Sequence, residues 1–235
     1  IGAADFAGAG TPLKFNSVDF RDGQQSLFAT RLTTADMIPL LEQMDAVGYD
    51  SMEMWGGATF DVAYRFLHES PWERLRLLRE KIPNIPFQML LRGSNLVGYA
   101  SYPDNLVRAF IAESAREGID VFRVFDSLNW LPNMETAMDE VLRQGKFLEG
   151  TVCYTGDILD PTRDRYTLEY YVNFAKELER RGVHMLAIKD MSGLLKPYAA
   201  KKLVSTLKQE IGIPIHLHTH NTTDNQIATY LMAAE

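Results

Sequence analysis

The chain is short of cysteine, of net positive charge and of long apolar runs, and each shortage removes a class of protein. Cys153 is the one cysteine, so no disulfide can form within the chain. A lone thiol reads first as a small buried hydrophobe and fits a reducing compartment such as the cytoplasm. Lys and Arg number 24 against 31 Asp and Glu, a net charge of −7. That balance argues against nucleic acid or an anionic membrane surface as the main partner. No stretch reaches the roughly 18 apolar residues that a spanning helix needs, so membrane insertion is not expected. The start is rich in Gly and Ala and lacks the charged region and apolar core of a signal peptide. Residues 1–13 therefore read as a linker. The chain begins without Met and stops at Glu235 inside a helical pattern, as a piece of a longer protein would.

What is present is ordinary globular material: 235 residues, 46% hydrophobic and 23% charged. Short apolar runs predict strands over 14–20, 49–54, 87–91, 121–125, 150–154, 185–189 and 213–218. Amphipathic stretches between them predict helices over 34–47, 60–67 with 71–81, 103–117, 131–144, 167–181, 197–211 and 222–234. Thr33 or Thr34 can cap the first helix, and Ser70-Pro71 places Pro at a first helical position. Gly48, Gly118, Gly145 and Gly182 each follow a helix, where a left-handed residue is wanted. Seven βα repeats mean a parallel sheet. No G-x-G-x-x-G follows the first strand, which disfavours a dinucleotide-binding open sheet. Chemistry-bearing residues fall at the carboxyl ends of strands one, six and seven. A closed (β/α)8 barrel brings all its strand ends to one face, so the barrel is the expected fold, with an eighth unit absent or beyond residue 235. No internal domain boundary is expected after Pro12.

Ile213-Pro-Ile-His-Leu-His-Thr-His220 alternates, and side chains on a strand repeat with period two. His218 and His220 thus share a face and could bind one metal. His216 shares that phase but lies lower, as a satisfied interior histidine would. Asp22 follows the first strand and reads either as a third ligand or as a turn-capping residue. Lys189 ends the sixth strand. Burial would make it a base or Schiff-base former, CO2 addition would turn it into a carboxylate-like carbamate, or it simply pairs with Asp190. Arg92, at the end of strand three, offers a planar fork to a substrate carboxylate or closes the rim with an ion pair. Arg21 reads as local positive charge near an anionic substrate or as a salt-bridge partner. The glycines of Trp55-Gly-Gly-Ala-Thr59 permit close approach to the backbone. Asp61 opens the next helix, and Tyr99 either walls a pocket or packs in its loop.

Several segments together resemble the carboxyltransferase domain of pyruvate carboxylase. They are Glu53-Met-Trp-Gly-Gly-Ala-Thr-Phe-Asp61, Phe87-Gln-Met-Leu-Leu-Arg-Gly93, Asp120-Val-Phe-Arg-Val-Phe-Asp126, Tyr154-Thr-Gly-Asp-Ile158, Ile188-Lys-Asp-Met-Ser-Gly-Leu-Leu-Lys-Pro197 and His216-Leu-His-Thr-His220. The oxaloacetate decarboxylase α subunit and the transcarboxylase subunit share much of this pattern, and acyl-CoA metallolyases are a more distant alternative. The resemblance spans about residues 14–235. It implies an α/β barrel holding a divalent ion (zinc, manganese or cobalt) on Asp22, carbamylated Lys189, His218 and His220. It implies that Arg92 holds the pyruvate or oxaloacetate carboxylate and that Gln25 contacts substrate near the metal. Arg21, Asp61 and Tyr99 would line the pocket for carboxybiotin. The implied partners are a biotinylated carrier domain, a biotin carboxylase module and further copies of the protein. The compartment is the cytoplasm, or the mitochondrial matrix in a eukaryote. The carrier must lie elsewhere, because no Ala-Met-Lys-Met segment occurs. Two departures stand out. Family members commonly read Arg-Asp-Ala-His-Gln-Ser where this chain has Arg21-Asp-Gly-Gln-Gln-Ser26, and they carry Gly where it has Asp224. That aspartate adds a side chain and a charge near the site mouth and is expected to weaken anion binding or shift the following helix.

Overall fold

The structure, a computed structural model, describes residues 13–235; the expected linker falls, but for Leu13, outside them. By internal contacts the described residues form two compact bodies. One comprises 14–124 and 131–148, the other Leu13, 125–130 and 149–235.

The first body carries four parallel strands in chain order: β1 (Asn16–Ser17), β2 (Ser51–Trp55), β3 (Phe87–Leu91) and β4 (Val121–Val124). Asn16 is opposite Ser51, Met52 opposite Phe87 and Leu91 opposite Val124, with a register slip between Glu53 and Trp55. Every residue of β3 is buried, as a parallel strand covered on both faces requires. The helices are α1 (Gln24–Leu27), α2 (Thr34–Met37), α3 (Leu41–Ala46), α4 (Gly57–Arg65), α5 (Pro71–Lys81), α6 (Asp104–Arg116) and α7 (Pro132–Arg143). Thr33 and Asp36 form a reciprocal cap at the start of α2, and Ser70 caps α5. The helix expected over 34–47 is divided: α2 and α3 are separated by a 3₁₀ turn at Ile38–Leu40. Pro39 lacks an N–H and its ring crowds the preceding turn. Trp55, Phe60, Trp72 and Phe110 meet as an aromatic knot, with centroids 5.0–6.5 Å apart, that pins α4, α5 and α6 to β2.

The second body carries β5 (Phe147–Cys153, entered from the first body), β6 (Met185–Asp190) and β7 (Ile215–Thr219), again parallel and in chain order. Between and after them run α8 (Leu168–Arg180), α9 (Pro197–Glu210) and α10 (Gln226–Ala234). β5 starts three residues earlier than the strand expected from Gly150, because Glu149 looks like an interruption. In the fold Glu149 is buried against His216 Nδ1 at 2.7 Å. Gly150 lies so close to Val183 that a Cβ would stand 2.7 Å from its Cγ1. Gly48, Gly118, Gly145 and Gly182 all take positive φ after their helices, as expected.

The first strand is the largest departure from expectation. Only Asn16–Ser17 pairs, and Asp19–Gly23 winds into a π-helical turn. The Val18 carbonyl accepts from both Arg21 N and Gly23 N. Apolar alternation over 14–20 gave no warning of a π turn, a form that recurs at functional sites.

Candidate functional site

In the second body the site is built on the carboxyl ends of β6 and β7. Lys189 and His218 are register partners, so their side chains leave the sheet on the same face. His220 lies two residues on, and its ring centroid is 5.0 Å from that of His218. Lys189 and His218 are buried, and His220 is half-buried. The Lys189 amine stands 5.8 Å from the centroid of the Phe125 ring. Asp190, next along the strand, faces the other way. Its carboxylate accepts from Ser192 N, Leu194 N, Leu195 N and the Thr219 hydroxyl. Pairing of Lys189 with Asp190, one of the three readings of that lysine, is therefore not what the fold uses. Cys153 is the register partner of Lys189 on the other side. Burial pushes its thiol up to about 12, so it is a packed, protonated group, as its sequence context suggested.

In the first body the π turn sets Asp22 as a buried residue beside Arg21, whose Nη1 is 3.4 Å from Asp22 Oδ1. Arg21 is itself buried and ion-paired through Nε with Glu53. Glu53 also takes Arg123 Nη1 at 2.8 Å. Gln25 is half-buried just past Asp22, and Asp19 accepts from the Ser17 hydroxyl.

Arg92, Asp61 and Tyr99 come together in the same body. The Tyr99 hydroxyl donates to Asp61 Oδ2 at 3.0 Å; chiefly through that bond the phenol is held above its ordinary pKa. Arg92 donates to Gly98 O at 3.0 Å and its guanidinium carbon lies 5.8 Å from the Tyr99 ring centroid. The two glycines at the start of α4 explain how arginines fit here. A Cβ on Gly57 would be 2.8 Å from the Arg92 guanidinium, and one on Gly56 would be 3.0 Å from Arg21 Cδ. The arginines lie where any larger residue would stand.

Asp224 has φ +58, the left-handed region natural to glycine and tolerated by Asp. Its Oδ1 accepts from Asn221 Nδ2 at 3.1 Å, and α10 begins at Gln226 instead of Thr222. Three residues contribute here in ways their sequence context does not show. Glu53 showed only as one acid inside an apolar strand. Asp190 was legible as an acid before a Ser-Gly turn, a turn signal. Thr219 gave no signal apart from standing between two histidines.

No family model matches the chain. Pyruvate carboxylase of Staphylococcus aureus is 56% identical over 237 residues, covering 100% of this chain and 21% of the relative. The mitochondrial pyruvate carboxylase of Homo sapiens is 53% identical over 220 residues, covering 92% of this chain and 19% of the relative. The solved carboxyl transferase domain of Rhizobium etli pyruvate carboxylase with pyruvate superposes with a TM-score of 0.92 at 51% identity, over 94% of this chain and 38% of that one. The chain thus spans well under two thirds of the length of these relatives. The likeness bears out the (β/α) barrel class for its seven strand–helix repeats.

Proposed function

Starting from the chain's homology to the carboxyltransferase domain of pyruvate carboxylase, we propose that residues 14–235 form the barrel of a biotin-dependent carboxyltransferase. It moves a carboxyl group between carboxybiotin and pyruvate, giving oxaloacetate, or runs the reverse decarboxylation. The observation that carries this reading is the opposition of Lys189 and His218 across adjacent strand ends, with His220 beside them.

His218 and His220 are donors suited to a divalent cation, and in this reading Lys189 and Asp22 complete the set. An ammonium has no lone pair to give. The neutral amine of Lys189 attacks CO2, an N–C bond forms, a proton leaves to solvent, and the resulting carbamate presents oxygens. Lys189 is buried, with its amine 5.8 Å from the centroid of the Phe125 ring. Two imidazoles with two oxygen donors fit zinc, manganese or cobalt. A divalent ion held there supplies Lewis-acid polarisation of the keto-acid carbonyl.

The remaining work falls to the chain's own side chains. Arg92, laid against Gly57, orients the pyruvate carboxylate with its unused guanidinium nitrogens. Gln25 contacts the substrate near Asp22. Tyr99 and Asp61 form the rim that receives carboxybiotin. Arg21, ion-paired with Glu53, holds Asp22 and lends positive charge without meeting solvent. A biotinylated carrier domain, a biotin carboxylase module and further copies of the protein are the partners of this reading, in the cytoplasm or mitochondrial matrix. No helix among the described residues is long and apolar enough to cross a membrane.

The test is oxaloacetate decarboxylation by the full-length protein with free biotin, before and after chelation. Activity should vanish with the metal and return with zinc, manganese or cobalt. Undiminished turnover in metal-free protein would defeat the reading.

A further inference from the structure

Thr219 lies between the two histidines and is held at each of its polar atoms. Its hydroxyl donates to Asp190 Oδ2 at 3.0 Å. Its amide donates to the Tyr230 hydroxyl at 3.3 Å, and its carbonyl accepts from Gln226 Nε2 at 3.2 Å. Asp190 also takes the next amide, His220 N, on its backbone carbonyl at 3.0 Å. The Asp190 carboxylate is fully buried. Its other bonds come from the Ser192, Leu194 and Leu195 amides.

Side chains alternate along a strand, so His218 and His220 share one face and Thr219 takes the opposite one. A rotation of the strand end about Thr219 would swing both rings at once. Asp190 and Thr219 are themselves register partners, one step beyond Lys189 and His218. The pair on the outer face therefore sets the twist with which the inner pair is presented.

We propose that Asp190 and Thr219 are positioning residues: the buried carboxylate, acting through the Thr219 hydroxyl, fixes the direction in which His218 and His220 offer their nitrogens to a metal. The proposal rests on the metal-binding reading above. A purely structural role for Asp190 would be to fold the 191–195 loop through its amides. That role does not need the Thr219 hydroxyl.

Thr219→Val separates the two roles, because it keeps the shape of the residue and all three loop amides on Asp190. Thr219→Ser restores the hydroxyl. The full-length protein and both variants are stripped of metal, then titrated with cobalt(II) while the visible absorption bands and thermal unfolding are recorded. Groups that orient metal ligands are typically worth about 10- to 100-fold in affinity. Thr219→Val should lose about tenfold in cobalt affinity and shift the bands, with a modest fall in its apo unfolding midpoint from the donor lost to the buried Asp190. Thr219→Ser should stay close to the parent. Equal affinity and identical bands in Thr219→Val, or an equal loss in Thr219→Ser, would overturn the positioning role alone. A parent protein that takes up no cobalt would overturn the metal reading and this inference with it.

Discussion

Asp22 is backed by full charges, whereas the strand end bearing His218 and His220 is backed by a carboxylate that meets only neutral donors. On the Asp22 side Arg123, Glu53, Arg21 and Asp22 follow one another as alternating ions, all buried. On the histidine side Asp190 is buried too, yet its partners are three amides and a hydroxyl. The physical demands differ. A buried carboxylate with several hydrogen-bond donors is stabilised by short-range geometry. A buried chain of ions depends on every member, because removing one leaves an uncompensated charge. The charged support is thus the more brittle one, and the neutral support the more exacting in shape.

Glu53→Ala puts the greatest strain on this contrast. It leaves Arg21 and Arg123 buried without their shared partner and should cost about 3–5 kcal/mol, read from denaturant unfolding. A loss below about 1 kcal/mol would show the charged support to be dispensable. Asp190→Asn should cost less, about 1–3 kcal/mol, since an NH2 group would face backbone donors and leave at least one buried amide without an acceptor. If it proves the more damaging of the two in the same denaturant series, the ranking of the supports is reversed.

Gly57→Ala sharpens the picture from the substrate side. The added methyl meets the mobile end of Arg92 and not backbone, so folding should hold within about 1 kcal/mol. In the proposed reaction the KM for pyruvate should rise several-fold while unfolding stays put; an unchanged KM would remove Arg92 from the carboxylate site. Cys153 gives the smallest effect. Its thiol is raised from 9.0 to about 12 by burial. The stability gained by keeping it neutral is complete below pH 9 and is withdrawn as pH climbs toward 12. Native protein at pH 9 should resist alkylation that urea-unfolded protein undergoes readily, and equal labelling rates would contradict the burial.

Much of this was readable in the letters. Helix starts at Thr33 and Ser70, the four glycine stops and the seven-fold alternation of strand and helix follow from local chemistry that needs no partner. The shared phase of His218 and His220 follows from the two-residue period of any strand. Asp224 in place of the family's glycine looked damaging, and the fold shows a left-handed position that an aspartate can occupy.

The sequence alone determined the order of elements, the class of fold and the residue types available for metal and carboxylate chemistry, because these depend on periodicity and on what each side chain can donate. Only the tertiary structure decided that β1 ends early in a π turn, that Glu53 joins two arginines, that Gly57 leaves room for Arg92, and that Asp190 turns from Lys189 toward Thr219. Each of those outcomes depends on which residue, distant in the chain, arrives at the other side of a contact, and no local pattern carries that information.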